Sequence, residues 1–187
     1  MRRSMAAADR TTLFDARAIA RALERMAEEI LDMAGRADAL VLVGIQRRGV
    51  DLAGRLARLI EAGAGKLVER GAIDITLYRD DLRTVGPMPI IGETNIPPDL
   101  TGKVVVIVDD VLYTGRTVRA ALAELADFGR PARIGLCVLI DRGGRELPIQ
   151  ADIVGETVSS QPGDHVDVLV EERDGRDAVE LVKGAAE

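Results

Sequence analysis

Two aspartates, Asp109 and Asp110, follow five apolar residues in VVVIVDDVLYTGRTVRAAL, residues 104–122, and a Thr-Gly-Arg-Thr turn comes four positions later. An apolar run of that length is a buried strand, and ligands of open parallel sheets collect beyond the carboxyl ends of such strands. The residues after the pair turn through Gly115 into a helix start. There, free backbone N–H groups and the helix dipole favour an anion, with Thr114 and Thr117 as hydroxyl donors. Phosphate suits that cradle. Two acceptor-only carboxylates beside it suit the hydroxyls of a sugar phosphate. An Asp pair that is simply a solvated strand end and a helix cap is the alternative reading of the same residues.

Other phosphate chemistries need motifs that the chain lacks. Neither GAGKL nor TGKVV has the spacing of a P-loop, so an apolar-Asp-Asp strand cannot serve as its Walker B partner, and no G-x-G-x-x-G fingerprint is present. Cys137 lies inside IGLCVLI, where a buried, inert thiol is expected. His165 is the single histidine and reads as a surface residue.

The elements that position these residues alternate. A helix is predicted from the N-cap Asp15 to Gly35, with Ile19, Leu23, Met26, Ile30 and Met33 on one face and Arg17, Arg21, Glu24, Arg25 and Glu28 on the other. An apolar strand over 39–45 and a helix over 49–62 follow. Residues 72–78 alternate well enough for a strand, 103–108 and 132–140 read as buried strands, and 117–128 as a helix. Strands alternating with helices imply a mostly parallel sheet covered on both faces. After Asp141 the short runs ADIVG, HVDVLVEE and DAVELV suggest a small β-rich part. Residues 1–12 read as a flexible tail, 13–187 as one domain, and about 79–98, rich in Pro, Gly and charge, as a long flexible loop.

Composition sets the outer bounds. With 187 residues, 47% hydrophobic and 30% charged, the chain is a folded domain. A net charge of −6 disfavours general nucleic-acid binding, and 2% aromatic content disfavours recognition by stacking platforms. No apolar stretch is long enough for a membrane span and no apolar segment follows the N-terminal arginines, so the expectation is a cytoplasmic protein.

The segment VVIVDDVLYTGRT, residues 105–117, resembles the phosphoribosyl diphosphate (PRPP) motif of type I phosphoribosyltransferases. LVGIQRRGVDLA, DITLYRDDL, GRPARI and DRGGRELPIQADIVG extend the likeness over nearly the whole chain to the PyrR family of bifunctional pyrimidine operon regulators and uracil phosphoribosyltransferases. The fold this implies is α/β, a type I phosphoribosyltransferase sheet, mostly parallel with helices on both faces, plus a small β-rich hood in the C-terminal part. The activity implied is uracil plus PRPP giving UMP and diphosphate, with Mg²⁺ held mainly by the substrate.

The resemblance also assigns residues. Asp109, Asp110 and Arg79 would be catalytic, with no direct metal ligand expected beyond the two aspartates. Val111, Leu112, Tyr113, Thr114, Gly115, Arg116 and Thr117 would hold PRPP and its 5′-phosphate, and Gln46, Arg47, Arg48 and Gly49 would form the diphosphate loop. The base would fall to Asp141, Arg142 and the backbone near Val154. Implied partners are PRPP, uracil, UMP or UTP, and the chain itself as a homodimer or larger assembly. Pyrimidine operon mRNA is a further partner of the family. RNA-binding relatives carry DRGHRELPIRAD and VGKNVPTS, where this chain has Gly144, Gln150, Glu156 and VSSQ, and Glu24 and Glu28 take the place of Thr and His. These changes remove donors or add negative charge, which weakens RNA affinity. Two alternatives stay open: an RNA-binding regulator with little catalysis, and a phosphoribosyltransferase for another nucleobase.

Overall fold

A strand with no polar face is stable only where both of its faces are covered, and the apolar runs of this chain lie side by side between two layers. The computed structural model describes residues 9–75 and 94–184. In chain order the elements are β1 (Arg10–Asp15), α1 (Ala16–Ala34), β2 (Leu40–Ile45), α2 (Arg48–Ala64), β3 (Glu69–Ile73), β4 (Val104–Leu112), α3 (Arg116–Leu125), β5 (Arg133–Asp141), β6 (Ile153–Thr157), β7 (His165–Leu169), α4 (Glu171–Asp174) and β8 (Ala178–Val182). Five strands form a parallel sheet in the order β3-β2-β4-β5-β6. The antiparallel sheet β1-β8-β7 is separate.

Strand alternation sends neighbouring residues of β4 to opposite layers. Val106 and Val108 join a core with Leu23, Met26 and Ile30 of α1, Leu52 and Leu56 of α2, and Val166 and Val179 of the small sheet. Val105 and Ile107 join the other core, with Val118, Ala121 and Leu125 of α3. Helices thus cover both faces, as a buried parallel sheet requires. Cys137 is wholly buried on β5, and burial pushes its thiol well above the ordinary range. No helix among the described residues is long and apolar enough to cross a membrane.

Helix α1 starts and stops at the predicted residues. The Asp15 carboxylate accepts from the Ala18 N–H at 2.8 Å, and Gly35 ends the helix at φ 68. Four expectations need correction. Residues 10–12, assigned to a tail, belong to β1, because they pair with β8 from the opposite end of the chain. The strand predicted over 72–78 is Glu69–Ile73, because it pairs along β2 from Val41 to Ile45; Asp74 and Ile75 lie beyond its end, and 76–78 lie outside the described residues. ADIVG supplies β6 of the main sheet, not the small sheet, because its register with β5 is parallel. Finally, the strand predicted to stop at Val108 continues to Leu112.

That last difference shapes the molecule. Pairing of β4 with β2 ends at Gly44 and Val108, while pairing with β5 continues to Leu112 and Asp141. Chain leaving β2 turns at once into α2, which sits directly on β4: a Cβ added to Gly49 would lie 2.5 Å from the Val108 carbonyl oxygen and 3.3 Å from the Asp109 Cα. Only glycine allows this approach of backbone to backbone. Gly49→Ala is therefore expected to push α2 off β4 and to destabilise the fold by about 2–3 kcal/mol. Urea denaturation measures the loss, and an unchanged midpoint would contradict the contact.

Candidate functional site

Where β4 overruns β2, it carries both aspartates. Asp109 is buried and Asp110 half-buried. The Asp110 N–H donates to Asp109 Oδ1 at 3.0 Å and the Val111 N–H to Asp110 Oδ1 at 2.8 Å, so each carboxylate is steered by the next backbone group. The solvated strand end offered as an alternative does not describe Asp109. Leu112 is buried in one core and Val111 packs against the other, so these two act as anchors of the loop that follows.

Residues 113–117 form the expected turn into α3. Gly115 stands at the start of the helix with φ 90, beneath Ile149. Thr114 Oγ1 accepts from the Arg116 N–H at 3.3 Å, and the Thr114 carbonyl accepts from the N–H groups of Glu146 and Leu147, both at 3.1 Å. Thr117 is half-buried in the first turn. Arg116 points toward Glu146, with Nη2 at 2.7 Å and both side chains about half exposed. An ion pair so exposed is worth about 0–1 kcal/mol.

The loop from 46 to 49 lies beside Asp109 through the Gly49 contact. It is held by the Gln46 N–H to the Ile73 carbonyl at 2.9 Å, and its Gln46–Arg47 peptide is cis. Its two arginines differ. Arg48 donates to Asp174 at 3.1 and 3.3 Å, whereas the Arg47 side chain is exposed.

A third loop, after β5, closes the other side. A cavity of about 550 Å³ is lined by residues 141–145 and 157–160, with Ile149 and Gln150. Arg142 is buried; its Nε donates to Ser160 Oγ at 3.2 Å and its Nη2 to the Asp164 carbonyl at 2.6 Å. The same guanidinium stacks 4.2 Å from the centroid of the Tyr113 ring. Gly144, at φ 72, lies against that ring, where a Cβ would come within 2.2 Å of it. Arg145 ties the loops together: it donates to the carbonyls of Ile149, Tyr113 and Gly143 at 2.9, 3.1 and 3.2 Å, and to Asp141 Oδ2 at 2.5 Å.

Most predicted residues therefore gather at the carboxyl ends of β2, β4 and β5. Val154 does not line the cavity. Asp141 pairs with Thr157 in the β5-β6 register, so the level of the site is reached three residues after Val154, whose carbonyl instead accepts from Arg25 Nη1 at 3.2 Å. Arg25 also donates to the Gly155 carbonyl, so this arginine from the outer face of α1 is engaged by the backbone of β6. Arg79 and its neighbours Tyr78, Asp80 and Asp81 lie outside the described residues. Sequence reasoning missed Arg145, which the i, i+4 spacing from Asp141 could have signalled; it singled out VSSQ, residues 158–161, as a departure from the family, and the β5-β6 register places 157–160 in the cavity wall. No group of three or more His, Cys, Asp or Glu among the described residues could hold a metal ion.

Comparison with known proteins gives concordant results. A model of the phosphoribosyl transferase domain matches residues 9–173. The chain is 56% identical over 169 residues to the bifunctional protein PyrR of Thermus aquaticus, covering 90% of this chain and 93% of that one. It is 55% identical over 168 residues to that of Chloroflexus aurantiacus, covering 90% and 92%. Among solved structures, a hypoxanthine phosphoribosyl transferase of Trypanosoma cruzi superposes with a TM-score of 0.72 at 19% identity, covering 97% and 95% of the two chains, which is a likeness of fold. A purine phosphoribosyltransferase of Pyrococcus horikoshii gives 0.58 at 25% identity, with 75% and 84% covered.

Burial raises the affinity of Asp141 for its proton, but the Arg145 guanidinium and the Gly143 N–H at 2.9 Å outweigh it and hold the carboxyl below its ordinary range. A carboxyl depressed by folding stabilises the protein above its unfolded pKa of about 3.9, and loses that contribution as pH falls through the lower folded value. Wild type is thus expected to lose this contribution steadily below about pH 4. Asp141→Asn should cost about 2 kcal/mol at pH 7 and much less at pH 3. Urea midpoints at the two pH values check this, and equal losses at both would contradict it.

Proposed function

The chain belongs to the phosphoribosyl transferase domain family, in its PyrR branch, and from that membership we propose that it is a cytoplasmic uracil phosphoribosyltransferase. The reaction is uracil plus PRPP giving UMP and diphosphate. One observation supports this reading above others: the overrun of β4 sets two carboxylates between a phosphate-type turn, a loop carrying an exposed arginine, and a cavity of about 550 Å³.

In this reading Asp109 and Asp110 accept hydrogen bonds from the ribose hydroxyls. Their negative charge also favours the oxocarbenium character that the ribose develops as the diphosphate departs. The 5′-phosphate sits in the turn at 114–117, on N–H groups at the start of α3 and the two threonine hydroxyls. Residues 46–49, with Arg47, receive the diphosphate, and Arg79 adds a second cation from the long segment. Uracil occupies the cavity after β5, between the Arg142–Tyr113 stack and the backbone of 157–160, whose amide groups match its amide-like edges. A Mg²⁺ ion bound with PRPP would be held by the substrate and by Asp109 and Asp110, and would supply neutralisation of charge on the diphosphate. The donor set fits such a substrate-borne ion, because Asp109 and Asp110 are the carboxylates at hand and a hard cation keeps much of its water.

Asp110→Asn should lower kcat by about 10²–10³-fold while circular dichroism and the urea midpoint stay at wild-type values, since a half-buried strand-end carboxylate adds little to the core. Assays with uracil, hypoxanthine, adenine and orotate test the base. Uracil should be turned over fastest, and preference for another base would move the chain to a different specificity.

A regulatory activity is the second part of the proposal, supported by relatives whose name calls them bifunctional. Here the partner is pyrimidine operon mRNA, under control of UMP or UTP. On α1 the exposed Arg17 and Arg21 are the contact residues, since Arg25 is committed to β6 and the exposed Glu24 and Glu28 oppose phosphates. Filter binding to the leader of its own operon should show retention at low salt that falls steeply as salt rises and is lost in Arg17→Glu/Arg21→Glu. No retention at low salt would remove this activity.

A further inference from the structure

The chain that leaves β7 folds back onto the start of α2. One face of α2 presents Arg48, Asp51 and Arg55, and a group of opposite charge from residues 172–177 meets each. Asp174 takes Arg48 Nη2 at 3.1 Å, Arg173 pairs with Asp51, and Arg55 reaches Glu172 at 2.6 Å. Asp174 is itself fixed, because its Oδ2 accepts from the Val170 N–H at 2.9 Å. Two of these contacts fall on the loop at 46–49: Arg48 belongs to it, and Arg173 Nη2 donates to the Arg47 carbonyl at 3.4 Å. Arg47 is left exposed, with no side-chain partner among the described residues.

Exposure separates the roles of these pairs. Arg55 and Asp177 are 15% and 18% exposed, against 35% and 22% for Arg48 and Asp174. The better-buried Arg55 network serves stability, while the more exposed pairs at the loop contribute little of it. Their geometric effect is larger, because an anion cradle of backbone N–H groups works only when it is set in advance, and a shift of about 1 Å costs roughly 100-fold.

We propose that Arg173 and Asp174 are positioning residues for the diphosphate: they fix the backbone and one side chain of the loop, so that Arg47 is the loop cation that meets the leaving group. The inference rests on the reading of residues 46–49 as the diphosphate loop. Full-length wild type, Asp174→Ala, Arg173→Ala, Asp174→Glu and Glu172→Gln are compared. Asp174→Ala and Arg173→Ala should raise the KM for PRPP and the inhibition constant of diphosphate about tenfold, roughly 1.4 kcal/mol. The KM for uracil should stay within about twofold, and Asp174→Glu should recover most of the loss, as repositioning of one anion cradle requires. Glu172→Gln cuts a pair that does not touch the loop, with Arg55 still held by Asp177, and should leave the diphosphate constant unmoved. A Glu172→Gln effect as large as that of Asp174→Ala, or wild-type diphosphate inhibition in Asp174→Ala, overturns the proposal. Calorimetric titration with magnesium diphosphate reads the loop without turnover. No binding by wild type overturns the loop assignment itself, whereas binding with equal affinity by all variants overturns only the positioning role.

Discussion

The structure depends on an unequal pairing of one strand. β4 stays hydrogen-bonded to β5 for four residues after it has lost β2, so its far end projects past the sheet on one side while remaining rigid on the other. Every feature of the site follows. The projecting segment carries Asp109 and Asp110, the space vacated by β2 is filled by the loop at 46–49, and the surviving β5 partner brings Asp141 level with Leu112. Glycine at position 49 makes the exchange possible, because the start of α2 must rest on the backbone of Val108 with no side chain between them.

A rigid strand end still needs its loops held, and here the work falls to arginines. Arg145 satisfies three backbone carbonyls and one carboxylate, and Arg142 satisfies a hydroxyl and a carbonyl while stacking on Tyr113. A guanidinium can do this because it offers five donors in a fixed plane. The loops after β4 and β5 become one unit, and Gly144 keeps the Tyr113 ring in place by having no side chain to displace it. On the other side of the strand end, Arg48 and Arg173 tie the loop at 46–49 to α4, which follows β7. The enzyme site and the small antiparallel sheet are thereby joined, although the two sheets share no strand.

Charge on the surface is a poor guide to partners, because side chains of one face can be engaged elsewhere. Arg17, Arg21 and Arg25 look alike on the outer face of α1, yet Arg25 is taken up by backbone carbonyls of β6. Arg47 and Arg48 are adjacent in one loop, yet among the described residues only Arg48 has a carboxylate opposite it. Spacing along a helix or loop says which side chains share a face; it does not say what the face is packed against.

Local chemistry is legible without a structure. The alternation of buried strands and amphipathic helices, the Asp15 cap, the Gly35 stop and the turn through Gly115 into α3 are set by short-range sterics and hydrogen bonding, and these stand where the sequence predicts them. Contacts between separate elements are not. β1 exists because β8 comes back to pair with it, β6 belongs to the main sheet because its register with β5 is parallel, and the cavity wall is at 157–160 and not at Val154 for the same reason. The sequence by itself determined which residues could grip a phosphate and a sugar, since that depends on residue type and local backbone shape. Only the tertiary structure decided which of them stand together and which arginines are already engaged, since register and long-range ion pairing depend on the closing of the whole chain.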